Sequence, residues 1–237
     1  MLKAIKAGNR QWYEVQSREN THEVFIYDEI GVGFFGGGIT ALAFVQELKG
    51  LKLRKTDDLV VHINSPGGSF FEGNTIYNYL RTVEAKVTMR IDGVAASAAS
   101  IIAMAGDIVQ MPENSMMFIH NPWTCACGDA AEMRKAADDL DKSRDSAVLT
   151  YMRKTNGKID QDVLVKMLED ETWLSAAESV EHGFADVVDE PVRVAALAKF
   201  DFSNYQIAVP DQLKKAKADI SDDRKLRRER LVVAKKV

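Results

Sequence analysis

The sequence predicts an α/β fold with a largely parallel sheet, and two observations carry that expectation. From Glu23 onward, short apolar runs alternate with helix-patterned stretches, the mark of successive βαβ units. The run Leu59-Val60-Val61-His62-Ile63 lacks polar alternation, as expected of a strand covered on both faces. At 237 residues the chain has room for one large domain with a substantial core.

Taken in order, residues 1–22 are mixed and polar and read as a loose or oligomer-contacting arm, and residues 23–190 read as the main domain. Val24-Phe25-Ile26-Tyr27 reads as a strand. Ile39 to Leu48 reads as a helix with Leu42, Val45 and Leu48 on one face. After the strand Leu59 to Ile63, Gly67-Gly68 turns the chain into a helix carrying Ile76, Tyr79 and Leu80. Val87 to Ile91 is the next strand, ending at about Asp92, and the small-residue run Ala95 to Ala105 is the next helix. Ile108 to Met111 and Met116 to Ile119 are two further short strands.

A long helical pattern runs from about Asp129 to Met152, with Met133, Ala137, Leu140, Ala147 and Tyr151 at spacings of three, four or seven. The remaining positions are crowded with charge. The stripe therefore pairs either with another chain or with its own domain, and spacing alone does not choose. Asp160 starts another helix through Leu164 and Leu168. Ser175-Ala176-Ala177-Glu178 is a capping box, and Gly183 closes that helix. Beyond Pro191 the pattern weakens. Residues 210–237 hold ten Lys/Arg against five Asp/Glu, so 191–237 reads as an extension that is solvated or forms a short amphipathic docking helix.

Bulk properties exclude several functions. Hydrophobic residues make up 46% and charged residues 28%, and the net charge of −4 gives no electrostatic reason for a nucleic-acid partner. No run of about 18 apolar residues marks a membrane span, and Met1 to Lys6 lacks the apolar stretch of a signal peptide. Cys125 and Cys127, one residue apart, are too close for an ordinary structural disulfide, and two thiols do not complete a zinc site. A cytoplasmic protein with reduced thiols and no cofactor or metal is expected.

Three segments carry chemistry. Ser97, in Asp92-Gly93-Val94-Ala95-Ala96-Ser97-Ala98-Ala99-Ser100, sits where a strand gives way to a helix whose free N–H groups and dipole favour an anion. It reads either as a nucleophile or as an N-cap at a tight helix contact. Ser100, almost one turn further on, is expected to matter little. Ile63-Asn64-Ser65-Pro66-Gly67-Gly68-Ser69 reads either as a plain turn or as one that exposes the Gly68 N–H as half of an oxyanion hole, with the Ala98 N–H as the other half. His120 ends an apolar strand before Asn121-Pro122, and its ordinary pKa of about 6.5 suits a general base. His62 is expected to be packed in mid-strand, His182 to end a helix, and His22 to lie in the polar arm.

Together with Trp173-Leu174-Ser175-Ala176-Ala177-Glu178-Ser179-Val180-Glu181-His182-Gly183-Phe184-Ala185-Asp186, these segments resemble the signatures of the Clp protease proteolytic subunit. The resemblance covers residues 23–190, in the family's order and spacing. It implies a Clp/crotonase-like spiral of βαβ units with a protruding handle helix. It also implies a serine endopeptidase working on protein or peptide chains by a Ser-His-acid triad, in a homo-oligomer of stacked heptameric rings. By position, Ser97 is the nucleophile, His120 the base, Gly68 and Ala98 the oxyanion donors, and 129–152 the helix where rings meet.

The chain also departs from the family. The acid is usually an Asp at the position of Glu171, and here Asp170 precedes it. Glu171 ranks first because Ser-His-Glu triads work, and because alternation in an extended segment would put Glu171 and Trp173 on one face with Asp170 pointing away. The Gly31 to Gly38 stretch, the opening arm and the Cys125-Ala126-Cys127-Gly128 loop look more like phage and prophage Clp-like peptidases. That branch implies capsid-protein processing, in place of a Clp-type ATPase partner. Three alternatives compete: a silent scaffold on the same fold, an acyl-CoA hydratase-like enzyme, and nucleotide binding through Gly31-Val32-Gly33-Phe34-Phe35-Gly36. The last lacks an acid at the end of the following strand, since Asp57 and Asp58 precede it.

Overall fold

Strands and helices alternate through most of the chain because apolar period-two runs are repeatedly followed by capped, apolar-faced helices. The computed structural model describes residues 15–18, 20–32 and 38–191. The expectations for residues 1–14, for Gly33 to Gly36 and for 192–237 lie outside these.

Strand β1 (Val15–Arg18) runs antiparallel to β2 (Thr21–Ile26), and β2 pairs in parallel with β3 (Asp58–Ser65). Next comes β4 (Lys86–Ala96), parallel to β3 and, through its first half, to β5 (Ile108–Pro112). The second half of β4 pairs instead with β6 (Met116–Ile119), which pairs antiparallel with β7 (Thr172–Ser175). Strand β8 (Val187–Asp189), which the sequence pattern does not mark, closes the far edge against β5. The eight strands thus form one mixed sheet that is mostly parallel, as the sequence predicts. Its division along β4 is what brings β6 and β7 beside the end of β4.

Between these strands lie α1 (Ala41–Leu51), α2 (Phe70–Leu80) and α3 (Ala98–Ala103). The Thr40 and Ser69 hydroxyls cap α1 and α2, accepting from Ala43 and Glu72 N–H. Buried positions alternate along the strands: Val24 and Ile26 on β2, Leu59, Val61 and Ile63 on β3, Val87, Met89 and Ile91 on β4. They meet Phe44, Leu48, Ile76, Leu80, Ile101 and Ile102 in one core.

Several sequence expectations shift. β3 is fully buried on one face only, because Val60 and His62 on the other are half-exposed. On α1 the buried stripe is Ala41, Phe44 and Leu48, while Leu42 is exposed. A small alanine at the i−3 position lets Phe44 fill the space against the sheet. β4 continues to Ala96 because Val94, Ala95 and Ala96 pair with β6, and α3 is correspondingly short. His22 lies in β2 rather than in an arm, with Nε2 3.8 Å from the Asp57 carboxylate.

The long helix α4 (Ala130–Thr155) starts at a capping box between Asp129 and Glu132 and stops at Asn156 in the left-handed conformation. The reading in which the stripe packs on its own domain holds for the second half of the helix. Ala147, Val148, Thr150, Tyr151 and Thr155 are buried against the domain. No residue from 130 to 146 is buried, and Met133 is exposed with Leu140 half-exposed. Helices α5 (Gln161–Glu169) and α6 (Ala176–Glu181) follow, with α6 held by the expected Ser175/Glu178 capping box.

Candidate active site

The end of β4 delivers Ser97 into an unusual backbone. Its φ of 54° and ψ of −126° lie outside the regions that L-residues favour, a conformation that costs about 1–3 kcal/mol and persists only where neighbours over-determine it. The Ser97 N–H donates to the Phe118 carbonyl of β6 at 2.9 Å, and its carbonyl accepts from the N–H groups of Ser100 and Ile101. A strained strand-to-helix turn of this kind lifts a hydroxyl clear of the sheet.

The Ser65-Pro66-Gly67-Gly68 turn packs directly against this elbow. A Cβ on Gly67, at φ +91°, would stand 2.5 Å from the Ala96 oxygen and 2.6 Å from Ser97 Cβ. At Gly68, φ +142°, a Cβ would meet the Ile30 oxygen at 2.2 Å, so both positions require glycine. Ile30 donates to the Gly67 carbonyl and accepts from Ser69 N–H. In a parallel bridge this turns the Gly68 N–H to the opposite side. Ala98 is the first residue of α3, where a helix N–H has no carbonyl one turn back to receive it.

His120 follows β6 directly and is buried, 8% exposed. Its Nε2 lies 2.8 Å from Ser97 Oγ. The ring stacks on Phe118 at 5.3 Å, and Phe118 stacks on Trp173 at 4.5 Å, which restrains the imidazole plane. Burial lowers the His120 pKa below its ordinary 6.5, against the opposing pull of the Glu171 charge and of a hydrogen bond to the Asn121 backbone. The imidazole is therefore neutral near pH 7, the form that can accept a proton.

The third segment arrives through the β6–β7 pairing. Ile119 pairs with Thr172, so continuing the register by one step sets Glu171 opposite His120. The Asn121 N–H donates to the Leu168 carbonyl at 3.1 Å, which fastens the end of α5 to the same place. Segment 170–171 is not extended, contrary to the alternation argument. Asp170 caps α5 with φ −82° and ψ 2°, and Glu171 is left-handed with φ 51°. Asp170 still points away, since its carboxylate is exposed and pairs with Lys166 of the preceding helical turn. The separation of the two carboxylates thus comes from a helix end instead of a strand.

The structure thus brings Ser97, His120, Glu171, Gly68 and Ala98 to one locus. Ser100 is fully buried, and its hydroxyl is hydrogen-bonded to the Ser97 carbonyl. His62 and His182 lie elsewhere, in β3 and at the C-cap of α6. Cys125 and Cys127 are free and exposed. Among the described residues there is no group of three metal-binding side chains, and no helix is long and apolar enough to cross a membrane.

The model of the Clp protease family matches residues 7–191. The ATP-dependent Clp protease proteolytic subunit of Leuconostoc citreum is 33% identical over 185 residues, covering 76% of this chain and 89% of its own. That of Chaetosphaeridium globosum is 33% identical over 138 residues, 56% of this chain and 67% of the relative. Proteolytic subunit 2 of Treponema denticola is 30% identical over 167 residues, 69% and 80% of the two chains.

Proposed function

Because this chain belongs to the Clp protease family and is a serine-type endopeptidase, we propose that it cleaves peptide bonds by a triad of Ser97, His120 and Glu171. The 2.8 Å contact between Ser97 Oγ and His120 Nε2 at a strained elbow is the observation that carries this reading. His120 Nε2 takes the hydroxyl proton as Oγ attacks the scissile carbonyl carbon. The carbonyl electron pair moves onto oxygen, where the N–H groups of Gly68 and Ala98 receive it. Collapse breaks the C–N bond, and His120 returns the proton to the leaving amine. Water, deprotonated by the same nitrogen, then cleaves the acyl-serine ester. Glu171, opposite His120, stabilises the imidazolium formed in each half of the cycle.

The relatives are named as proteolytic subunits of an ATP-dependent protease. We assign this chain the corresponding place in a homo-oligomer of stacked heptameric rings. The unburied first half of α4, with Met133 and Leu140, is the ring-to-ring contact. We place it in the cytoplasm, where ATP is available to a Clp-type ATPase partner, a reading that the words ATP-dependent in those names support. Capsid-protein processing without an ATPase is the competing role. Degradation of a folded substrate only with ATPase and ATP would exclude it, and cleavage of a capsid precursor by the peptidase alone would support it.

Fluorophosphonate labelling tests the chemistry. Label on Ser97, lost in Ser97→Ala and His120→Ala, is expected of the peptidase. An unlabelled Ser97 in folded protein would favour the silent scaffold or the hydratase-like enzyme.

A further inference from the structure

Ser100 is fully buried in an otherwise apolar short helix, and a buried hydroxyl must find partners. Its Oγ donates to the Ser97 carbonyl at 2.6 Å and lies 2.8 Å from the Tyr151 hydroxyl. A serine hydroxyl has a single hydrogen. With that hydrogen given to Ser97, the second bond has one direction: Tyr151 O–H donates to Ser100 Oγ. Tyr151 comes from the buried half of α4, is 2% exposed, and is held edge-on against the Phe184 ring at 5.7 Å. Burial pushes the phenol pKa upward, so it remains a donor at any working pH.

A serine that bonds back to a carbonyl three residues earlier is common in helices and needs no function. Two features set this one apart. The acceptor is the carbonyl of a residue whose backbone lies in a disfavoured conformation. That carbonyl also belongs to the same peptide group as the Ala98 N–H. A peptide group is planar, so fixing the oxygen of Ser97 fixes the direction in which Ala98 donates. The Ser100 hydroxyl is the shortest of the three donors to this oxygen, ahead of Ser100 N–H at 2.9 Å and Ile101 N–H at 3.4 Å.

We infer that Ser100 and Tyr151 are positioning residues, a two-hydroxyl relay from α4 that locks the Ser97–Ala98 peptide plane and so aims the Ala98 N–H at the oxyanion. The inference rests on the triad reading above. It predicts a loss confined to the transition state, because oxyanion donors act where charge develops. It also leaves the His120 surroundings untouched.

The test uses purified full-length Ser100→Ala, Tyr151→Phe and the double variant, with a peptide ester as substrate and a fluorophosphonate as label. Losing an oxyanion donor outright costs ~10²–10³ in kcat, so misaiming one is expected to cost roughly tenfold in Ser100→Ala. KM should stay within about twofold and the pH midpoint should not move. Tyr151→Phe, which deletes one oxygen and keeps the ring, should lose about threefold to tenfold. The double variant should match Ser100→Ala, because a serial relay is broken only once. Should Ser100→Ala fail to fold, Tyr151→Phe carries the test alone. A kcat within twofold of wild type in every folded variant, a loss confined to KM, or losses that multiply in the double variant would each overturn the relay. If wild-type Ser97 takes no label, the triad fails; if wild type and variants label equally fast, only the relay fails.

Discussion

His62 lies in β3 and His120 directly after β6 of the same sheet, and by the usual search for a histidine beside a carboxylate, His62 is the better candidate. Its Nδ1 lies 2.7 Å from Asp92 Oδ2, its ring stacks on Phe25 at 4.4 Å, and Tyr27 and Arg90 also donate to Asp92. Its Nε2, however, faces the Glu23 carboxylate at 4.0 Å, whereas His120 Nε2 faces the Ser97 hydroxyl at 2.8 Å. Asp92 is bound by Arg90, which also reaches Asp189 at 2.9 Å, tying β4 to β8 across the half-exposed sheet face. Around His120 the strain is concentrated in the partner, the Ser97 elbow. A histidine–carboxylate pair alone is a fastening, and it becomes machinery when the second ring nitrogen meets a hydroxyl held beside free N–H donors.

The sharpest way to break this contrast is to remove each centre. Ser97→Ala and His120→Ala should each lower kcat by at least ~10⁴ while the oligomer persists. His62→Ala should leave kcat within about twofold. Activity that survived His120→Ala and vanished in His62→Ala would invert the assignment.

Next in size is the acid. Glu171→Gln should lower kcat by ~10³–10⁴, the scale of a lost triad carboxylate, whereas Asp170→Asn should cost less than about twofold, its carboxylate being bound to Lys166 at the surface. Steady-state kinetics on both variants decides between them. A larger loss in Asp170→Asn would move the role by one residue.

A smaller effect is expected with pH. His120 has its pKa lowered by burial, and its neutral form accepts the proton. Single-turnover acylation should therefore fall as pH drops through a midpoint below 6.5. The unfolded chain binds that proton more readily than the folded one, so this group also weakens folding as pH falls below about 6.5. A midpoint above 6.5 would show that the Glu171 charge outweighs burial.

The smallest effect belongs to the fastening. Asp92→Ala removes the acceptor shared by His62, Tyr27 and Arg90 and should cost about 1–3 kcal/mol of stability, read by denaturant unfolding, with kcat unchanged. A loss of activity without loss of stability would mean that the His62 cluster reaches the active site.

The sequence by itself determined the alternation of strands and helices, the Ser175–Glu178 capping box and the places of Ser97, His120 and Gly68 at strand ends. Each is written in a local signal: hydrophobic period, cap chemistry, or a small-residue turn at a strand end. Only the tertiary structure decided which face of β3 is buried, that α4 is covered along one half, and that Glu171 lies opposite His120. These depend on pairings between segments far apart in the chain, such as β6 with β7, which no local period encodes. The same holds for Ser100 and Tyr151. Each reads as an unremarkable helix position until packing α4 on α3 joins two hydroxyls, 51 residues apart, to the carbonyl of Ser97.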